Sequence, residues 1–282
     1  APEHLNFHGD MEGYFQAKRI LFEASSYAVV NRRDPWGMRL IDRDHMTYAD
    51  KDGLGADWWA GDIVEDGEGL SFSVHHPQGC FVATLPMIGT YNVANAMAAI
   101  AAVAHLGIAP PDIQRGLASF PGVPGRMQVL QTTPVRVVLD FAHTPDSLRV
   151  ALSTLRQTTA RRLIVVLGSA GGPRDPSKRA PLGEVAATLA DLAIFTEEDC
   201  RDTPIYDILN EMKRGADAVG RTNYVLEPDR LRAIAYALSL AEPGDTVVFC
   251  GKAGEITLER ATETLPWIEE TIVRSAMADL GW

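Results

Sequence analysis

The sequence predicts an α/β protein whose second half is a doubly wound, mostly parallel, Rossmann-like sheet. Three observations carry this. Short runs rich in Val, Ile and Leu recur at 135–141, 163–167, 192–196, 224–226 and 246–250. Helix-patterned stretches separate them at 144–156, 177–189, 204–214 and 228–240. A Pro- and Gly-rich segment, Phe120-Pro121-Gly122-Val123-Pro124-Gly125, precedes the first run and reads as a linker. Continuous apolar runs of this length suit strands covered on both faces. Strand–helix alternation then builds a parallel sheet with its ligands at the carboxyl ends.

The elements before the linker read differently. Tyr14, Ala17, Ile20 and Leu21 recur at helical spacing within 11–23, which predicts a helix. Residues 27–31 and 37–41 are expected as short segments around Asp34-Pro35-Trp36-Gly37, a strand followed by a turn. From about 46 to 85 short alternating runs broken by Gly and Asp favour antiparallel strands. An alanine-rich helix is expected over 93–106, closed by Gly107, and a short one begins at Ala109-Pro110-Pro111-Asp112. In the second half, Ser177, Thr203 and Pro228 stand near the starts of the last three helices. Two domains follow, 1–123 and 124–282.

Composition narrows the function classes. The 282 residues are 46% hydrophobic and 22% charged, ordinary values for a globular chain, and this excludes collagen-like and wholly disordered readings. Lys+Arg 26 against Asp+Glu 37 gives a net charge of −11, against a sequence-independent nucleic-acid binder. Cys80, Cys200 and Cys250 lie far apart without a CxxC, so neither a disulfide framework nor a structural zinc site is expected. That usage suits a reducing cytoplasm. No apolar run approaches the roughly 20 residues of a membrane span. The first residues, Ala-Pro-Glu-His, are neither signal-like nor begun with Met, and the chain is expected to be a piece of a longer one.

Five polar clusters hold the candidate chemistry. Glu3, His4, His8, Asp10, Glu12 and Lys18 form an oxygen- and nitrogen-rich group suited to Mg²⁺, although Lys18 alone also reads as a snorkelling surface lysine. Gly168-Ser169-Ala170-Gly171-Gly172-Pro173-Arg174-Asp175 directly follows a buried strand. There backbone N–H groups can meet an anion, with Arg174, Lys178 and Arg179 as a cationic rim. A plain strand-to-helix turn fits that stretch equally well. Asp140-Phe141-Ala142-His143-Thr144-Pro145-Asp146 ends another strand, and Pro124-Gly125-Arg126 lies at the linker. Such an acid receives ribose hydroxyls and such an arginine meets phosphates, or both serve as turn devices. Thr196-Glu197-Glu198-Asp199-Cys200-Arg201 and Gly251-Lys252-Ala253-Gly254-Glu255 complete the set. Four clusters at four strand ends point to a site for an anionic or zwitterionic ligand. Cys200 has no neighbouring His to make it a nucleophile.

Taken in order, these stretches resemble the Mur ligase family, in particular its UDP-N-acetylmuramoyl-tripeptide synthetase (MurE) type. The resemblance runs from Pro2–Lys18 through Tyr91-Asn92-Val93-Ala94-Asn95-Ala96, Pro124-Gly125-Arg126-Met127, Asp140–Asp146 and Gly168–Arg179 to Gly251–Glu255 and Leu265-Pro266-Trp267. It implies the downstream part of a central ATPase domain followed by the family's C-terminal domain. It also implies an ATP-dependent ligase of peptidoglycan synthesis that adds a diamino acid to UDP-N-acetylmuramoyl-L-alanyl-D-glutamate through an acyl phosphate. ATP and Mg²⁺ are the implied cofactors. By resemblance, Lys18 matches a carbamylated lysine and His4 a Mg²⁺-binding histidine. Asn92 and Asn95 match adenine contacts, and Arg126, Asp140 and His143 match ribose and phosphate contacts. Arg174, Asp199, Arg201, Gly251 and Glu255 match contacts to the amino acid. Two boxes depart from the family. Its Asp-Asn-Pro-Arg reads Glu198-Asp199-Cys200-Arg201, and its Gly-Lys-Gly-His-Glu reads Gly251-Lys252-Ala253-Gly254-Glu255, so diaminopimelate, lysine and ornithine all stay open. No GxxGKT-type phosphate loop occurs. An upstream segment or chain is therefore the expected source of one, and an inactive binding or scaffold module is the alternative.

Overall fold

The computed structural model describes residues 9–41, 45–52, 55–172, 174 and 176–282. The chain divides into two compact units, Ala1–Pro121 and Gly122–Trp282.

In the first unit, α1 (Met11–Ala24) starts at Asp10, whose carboxylate accepts the Gly13 N–H at 2.8 Å and so caps an otherwise orphan donor. Strands β1 (Ala28–Asn31), β2 (His45–Ala49), β3 (Trp58–Glu65), β4 (Leu70–His76) and β5 (Gly79–Leu85) form one sheet in that order. Only β3–β4 and β4–β5 pair antiparallel. β2 runs parallel to both of its neighbours, which corrects the all-antiparallel expectation. An alternating pattern reports which face is buried, and it is silent on the direction of the neighbouring strand. The segment expected over 37–41 also differs. Pro35–Met38 is a single helical turn, α2, with Pro35 in its first turn and the Asp34 carboxylate receiving the Trp36 N–H at 3.0 Å. Helices α3 (Tyr91–His105) and α4 (Pro110–Ala118) follow. Met97, Ile100 and Ile113 from these helices close over Trp58, Phe72 and Val74 of the sheet to make this unit's core.

The second unit holds a six-stranded sheet. In chain order its elements are β6 (Gln128–Gln131), β7 (Arg136–Asp140), α5 (Pro145–Thr158), β8 (Leu163–Leu167), α6 (Arg179–Leu189), β9 (Leu192–Phe195), α7 (Ile205–Ala218), β10 (Tyr224–Leu226), α8 (Arg230–Leu240) and β11 (Thr246–Cys250). The spatial order is β10-β9-β8-β11-β7-β6. All neighbours pair parallel except β6 with β7. The carboxyl ends of β7, β8, β9 and β11 therefore share one edge. The chain also reverses direction across the sheet where β11 inserts between β7 and β8, the place at which such sheets open a crevice. A small hairpin, β12 (Thr257–Glu259) and β13 (Thr264–Pro266), and a final helix α9 (Glu269–Asp279) complete the unit. Val166, Ile194, Phe249 and Trp267 lie in one core with Ile234 of α8 and Val273 of α9.

Helix entry departs from the sequence reading in detail. α6 is entered through a 3₁₀ turn, Pro176–Lys178, and Asp229 rather than Pro228 caps α8 by accepting the Arg232 N–H at 2.9 Å. Thr203 does not cap α7. Its hydroxyl instead receives the Gly172 N–H at 2.9 Å and ties two strand-end loops together. No described helix is long and apolar enough to cross a membrane.

Helices α6 and α7 touch backbone to backbone. A Cβ built on Gly183 would stand 1.8 Å from the Met212 carbonyl oxygen, and one on Gly215 1.8 Å from that of Ala180. Only glycine admits this approach. Gly183→Ala is accordingly expected to cost about 1–3 kcal/mol, as forced overpacking does, read as a lower urea midpoint at unchanged slope.

Candidate functional site

Four loops at the carboxyl edge of the second sheet make one polar region. After β7, Asp140 is buried, and its two carboxylate oxygens accept the Met127 and Ala142 N–H groups at 2.8 Å each. Burial raises its carboxyl above the usual range despite those donors and Arg126. The same residue's carbonyl accepts the Gly251 N–H at 3.1 Å, which fixes the loop after β11 to the end of β7. The exposed Arg126 lays its guanidinium over the Phe141 ring at 4.6 Å. His143 stands edge-on to that ring, with Nδ1 3.0 Å from the Phe141 carbonyl, and its own carbonyl accepts from Lys178 Nζ at 3.1 Å.

The loop after β8 packs onto the loop after β9. Gly171 donates to the Asp199 carbonyl at 2.7 Å, and a Cβ there would fall 2.1 Å from the Cys200 carbonyl oxygen. This contact locates Asp199 and Arg201. Asp199 Oδ1 accepts from Lys252 Nζ at 2.8 Å and from the Glu259 N–H at 2.9 Å. Lys252, fully buried, also pairs with Glu255. Arg201, held at φ 48°, gives its Nε to Glu259 at 2.7 Å and reaches Asp199 at 3.4 Å. Asp199, Arg201, Lys252, Glu255 and Glu259 thus form one alternating network of charge. Arg174 is exposed, and among the described residues no ion-pair partner is seen for it.

Beneath this network lies a buried ion pair. Arg230, 0% exposed, donates to Glu269 at 2.5 Å, to the Glu197 carbonyl at 3.1 Å and to the Cys250 carbonyl at 2.9 Å. Trp267 Nε1 donates to the same Glu269 at 2.5 Å. Burial opposes the charge on Arg230, yet Glu269 and Glu198 hold its guanidinium above its usual range. Burial also raises both the Cys200 and the Cys250 thiols, so they stay protonated.

In the first unit, Asn92 is buried at the start of α3, where its Nδ2 donates to the Ile88 carbonyl at 2.8 Å. Its Oδ1 accepts from Asn95 Nδ2 at 3.0 Å, which orients the exposed Asn95 amide. Lys18 is exposed on α1, with Nζ 5.5 Å from the centre of the Tyr14 ring. Glu12 is committed to Arg39 at 2.8 Å, a pairing that holds its carboxyl down at about 2. His4 lies outside the described residues.

Sequence reasoning missed Lys252, Glu259, Arg230 and Glu198 as members of the region. Lys252 and Glu198 stood inside stretches already singled out, whereas nothing local marks Arg230 or Glu259. Glu198 is 7% exposed with Oε2 lacking a hydrogen-bond partner among the described residues, and burial raises its carboxyl above the usual range against the pull of Lys178, Arg230 and His143.

Residues 1–103 match the family model for the Mur ligase middle domain, and residues 125–253 match that for the Mur ligase glutamate ligase domain. The chain is 57% identical, over 99% of its length, to a UDP-N-acetylmuramyl-tripeptide synthetase of Deinococcus radiodurans, of which it covers 58%. It is 40% identical over 98% of its length to the UDP-N-acetylmuramoyl-L-alanyl-D-glutamate–2,6-diaminopimelate ligase of Synechocystis sp., covering 56% of that protein. The chain therefore spans somewhat more than half the length of these relatives. A solved structure of a UDP-N-acetylmuramoyl-L-alanyl-D-glutamate–2,6-diaminopimelate ligase superposes with a TM-score of 0.66 at 31% identity, over 100% of this chain and 59% of that one.

Breaking the buried pair tests how the edge is held. Glu269→Gln would leave Arg230 charged and poorly compensated, and a loss of about 3–5 kcal/mol is expected in urea unfolding.

Proposed function

The chain belongs to the Mur ligase family, and from that premise we propose that the protein containing it is an ATP-dependent amide ligase of peptidoglycan synthesis. On this reading it joins a diamino acid to UDP-N-acetylmuramoyl-L-alanyl-D-glutamate through an acyl phosphate. The observation that carries the proposal is the alternating network of Asp199, Arg201, Lys252, Glu255 and Glu259 at the carboxyl ends of β9 and β11. Such a network suits a ligand bearing ammonium and carboxylate groups together, because each end of the ligand can replace an existing partner. The acceptor is the one carried in the name of the Synechocystis relative.

Roles follow residue by residue. Residues 1–123 act as the downstream part of the central ATP-binding domain and 124–282 as the amino-acid-binding C-terminal domain. Asn92 fixes Asn95, whose amide offers the paired donor and acceptor that an adenine edge requires. Arg126, exposed and stacked on Phe141, is placed for phosphate. Asp140 organises its loop and keeps acceptor capacity for ribose hydroxyls, with His143 beside it. Arg174 and Arg201 take carboxylates, Glu255 and Asp199 take ammonium, and Gly251 admits the ligand close to the backbone. No GxxGKT-type loop is present among the 282 residues, so the cradle for the β- and γ-phosphates is assigned outside them.

Mg²⁺ would screen the phosphates during transfer. Among the described residues no group of three or more His, Cys, Asp or Glu side chains is placed to hold a metal ion, and Glu12 is spent on Arg39. The described donors do not by themselves fit the ion, so no step here runs through it. Lys18 enters as a solvent-accessible amine able to take up CO₂ and become an anion.

The test is phosphate release by the full-length protein, dependent on both the UDP-dipeptide and a diamino acid. Turnover with diaminopimelate, lysine or ornithine is expected. Nucleotide binding without turnover under any pairing would instead support a binding module. Norleucine, which lacks the second ammonium, is expected to fall at least about 10²-fold in kcat/KM, because the buried acceptors would be left unpaired. Lys18→Ala is expected to abolish ligation, with partial recovery in short carboxylic acids. Near wild-type turnover would make Lys18 a surface residue only.

A further inference from the structure

An amino acid reaches such a site as an ammonium, which cannot attack until it loses a proton. The carboxylates at this edge differ sharply in whether they are free to take one. Asp140 accepts two backbone N–H groups, and Asp199 is held by Lys252, Arg201 and the Glu259 N–H. Glu255 is paired with Lys252, Glu259 with Arg201, Glu197 with Arg260 at 2.6 Å, and Glu269 with Arg230 and Trp267. Glu198 is different. Its Oε2 is buried with no hydrogen-bond partner among the described residues, and it lies 2.6 Å from where a Cβ on Gly251 would stand. Gly251 sits at φ 96°, a conformation that excludes ordinary side chains, so the backbone lies against this oxygen where a side chain would collide with it.

Building on the ligase reading above, we propose that Glu198 is the proton acceptor for the incoming amine. The Glu198 carboxylate takes one proton from the ammonium. The freed nitrogen lone pair forms the C–N bond to the acyl phosphate carbon. The C–O bond to phosphate then breaks, phosphate leaving with the electron pair, and the remaining surplus N–H proton passes to phosphate. Glu198 later returns its proton to solvent. The products are the amide, hydrogen phosphate and one proton.

The surroundings set the direction of the pH dependence. Facing Glu198 are Lys178 at the start of α6, His143 after β7, Arg230 on α8, and Glu255 and Cys250 on and after β11. Burial dominates and raises the carboxyl. Glu198 accepts a proton only when ionised, so turnover should rise with pH through its elevated titration and be lost below it.

The experiment is the pH profile of kcat in the full-length protein for wild type, Glu198→Gln and Glu198→Asp. The Gln variant should lose about 10²–10⁴-fold in kcat, as removal of a general base does, while the KM for ATP stays within about twofold and the acidic limb disappears. The Asp variant should keep a limb at altered pH with partial activity. Retention by Glu198→Gln of kcat within about threefold and of the same limb overturns the assignment while leaving the ligase reading intact. Should the Gln variant fail to fold, an acidic limb at the same pH in wild type and Glu198→Asp overturns it equally. Absence of wild-type turnover with every amino acid would instead sink the ligase reading itself.

Discussion

The edge of the second sheet depends on a charge that has no access to water. Arg230 spends its guanidinium on the Glu269 carboxylate and on the carbonyls of Glu197, two residues past the end of β9, and Cys250, the last residue of β11. Neither ion could be buried alone, since the desolvation of each is tolerable only against the other and with the remaining donors filled. Trp267 supplies the remaining indole donor and ties α9 into the arrangement. The consequence is positional. The loops after β9 and β11 leave the sheet from fixed points, and Lys252 is held fully buried between Asp199 and Glu255.

Close backbone approach does for the loops what the ion pair does for their roots. With no Cβ at Gly171, the loop after β8 lies directly on the Cys200 carbonyl, and the hydrogen bond from Gly171 to the Asp199 carbonyl follows. Arg201 then lies in the left-handed region at φ 48°, a conformation tolerated because the Glu259 carboxylate and the Gly171 carbonyl hold its side chain. A local strain is thus balanced by contacts from two other segments, the pattern expected where a side chain must be aimed rather than merely packed.

Much of this was legible beforehand, and what was not has a physical reason. The strands at 163–167 and 246–250 match their expected limits, because a buried parallel strand leaves a continuous apolar run, and the half-buried edge strand at 224–226 matches through its Tyr-Val-Leu run. β6 was invisible, since Gln128–Gln131 is a short, half-buried edge strand whose polar ends look like loop. Strand direction in the first sheet could not be read, because alternation encodes burial and not pairing. At the candidate site the polar clusters were found from their place after strands. The importance of Arg230 was hidden, because its partners lie 20 to 39 residues away in sequence and no local signature marks a residue that is buried by tertiary contact alone. Ser177 and Thr203 looked like caps, yet Thr203 turned its hydroxyl to a neighbouring loop, where the unmet donor of Gly172 gave it a better use.

On the proposed ligase reading, the pairing of charges at this edge would let a charged ligand enter at tolerable cost. An isolated buried cation or anion would have to be stabilised by the ligand from the outset, and the free site would carry the full desolvation penalty. Here Asp199, Lys252, Glu255, Arg201 and Glu259 stabilise one another instead. A zwitterion of the right length can displace partner for partner, its carboxylate taking a guanidinium and its ammonium taking a carboxylate, so little net charge is moved into the low-dielectric region. On the proposed ligase reading, an amino acid lacking one of these groups would leave an internal partner stranded and would be refused by the same energetics. Selectivity would then reside less in the shape of a cavity than in the requirement that every exchanged charge find its opposite.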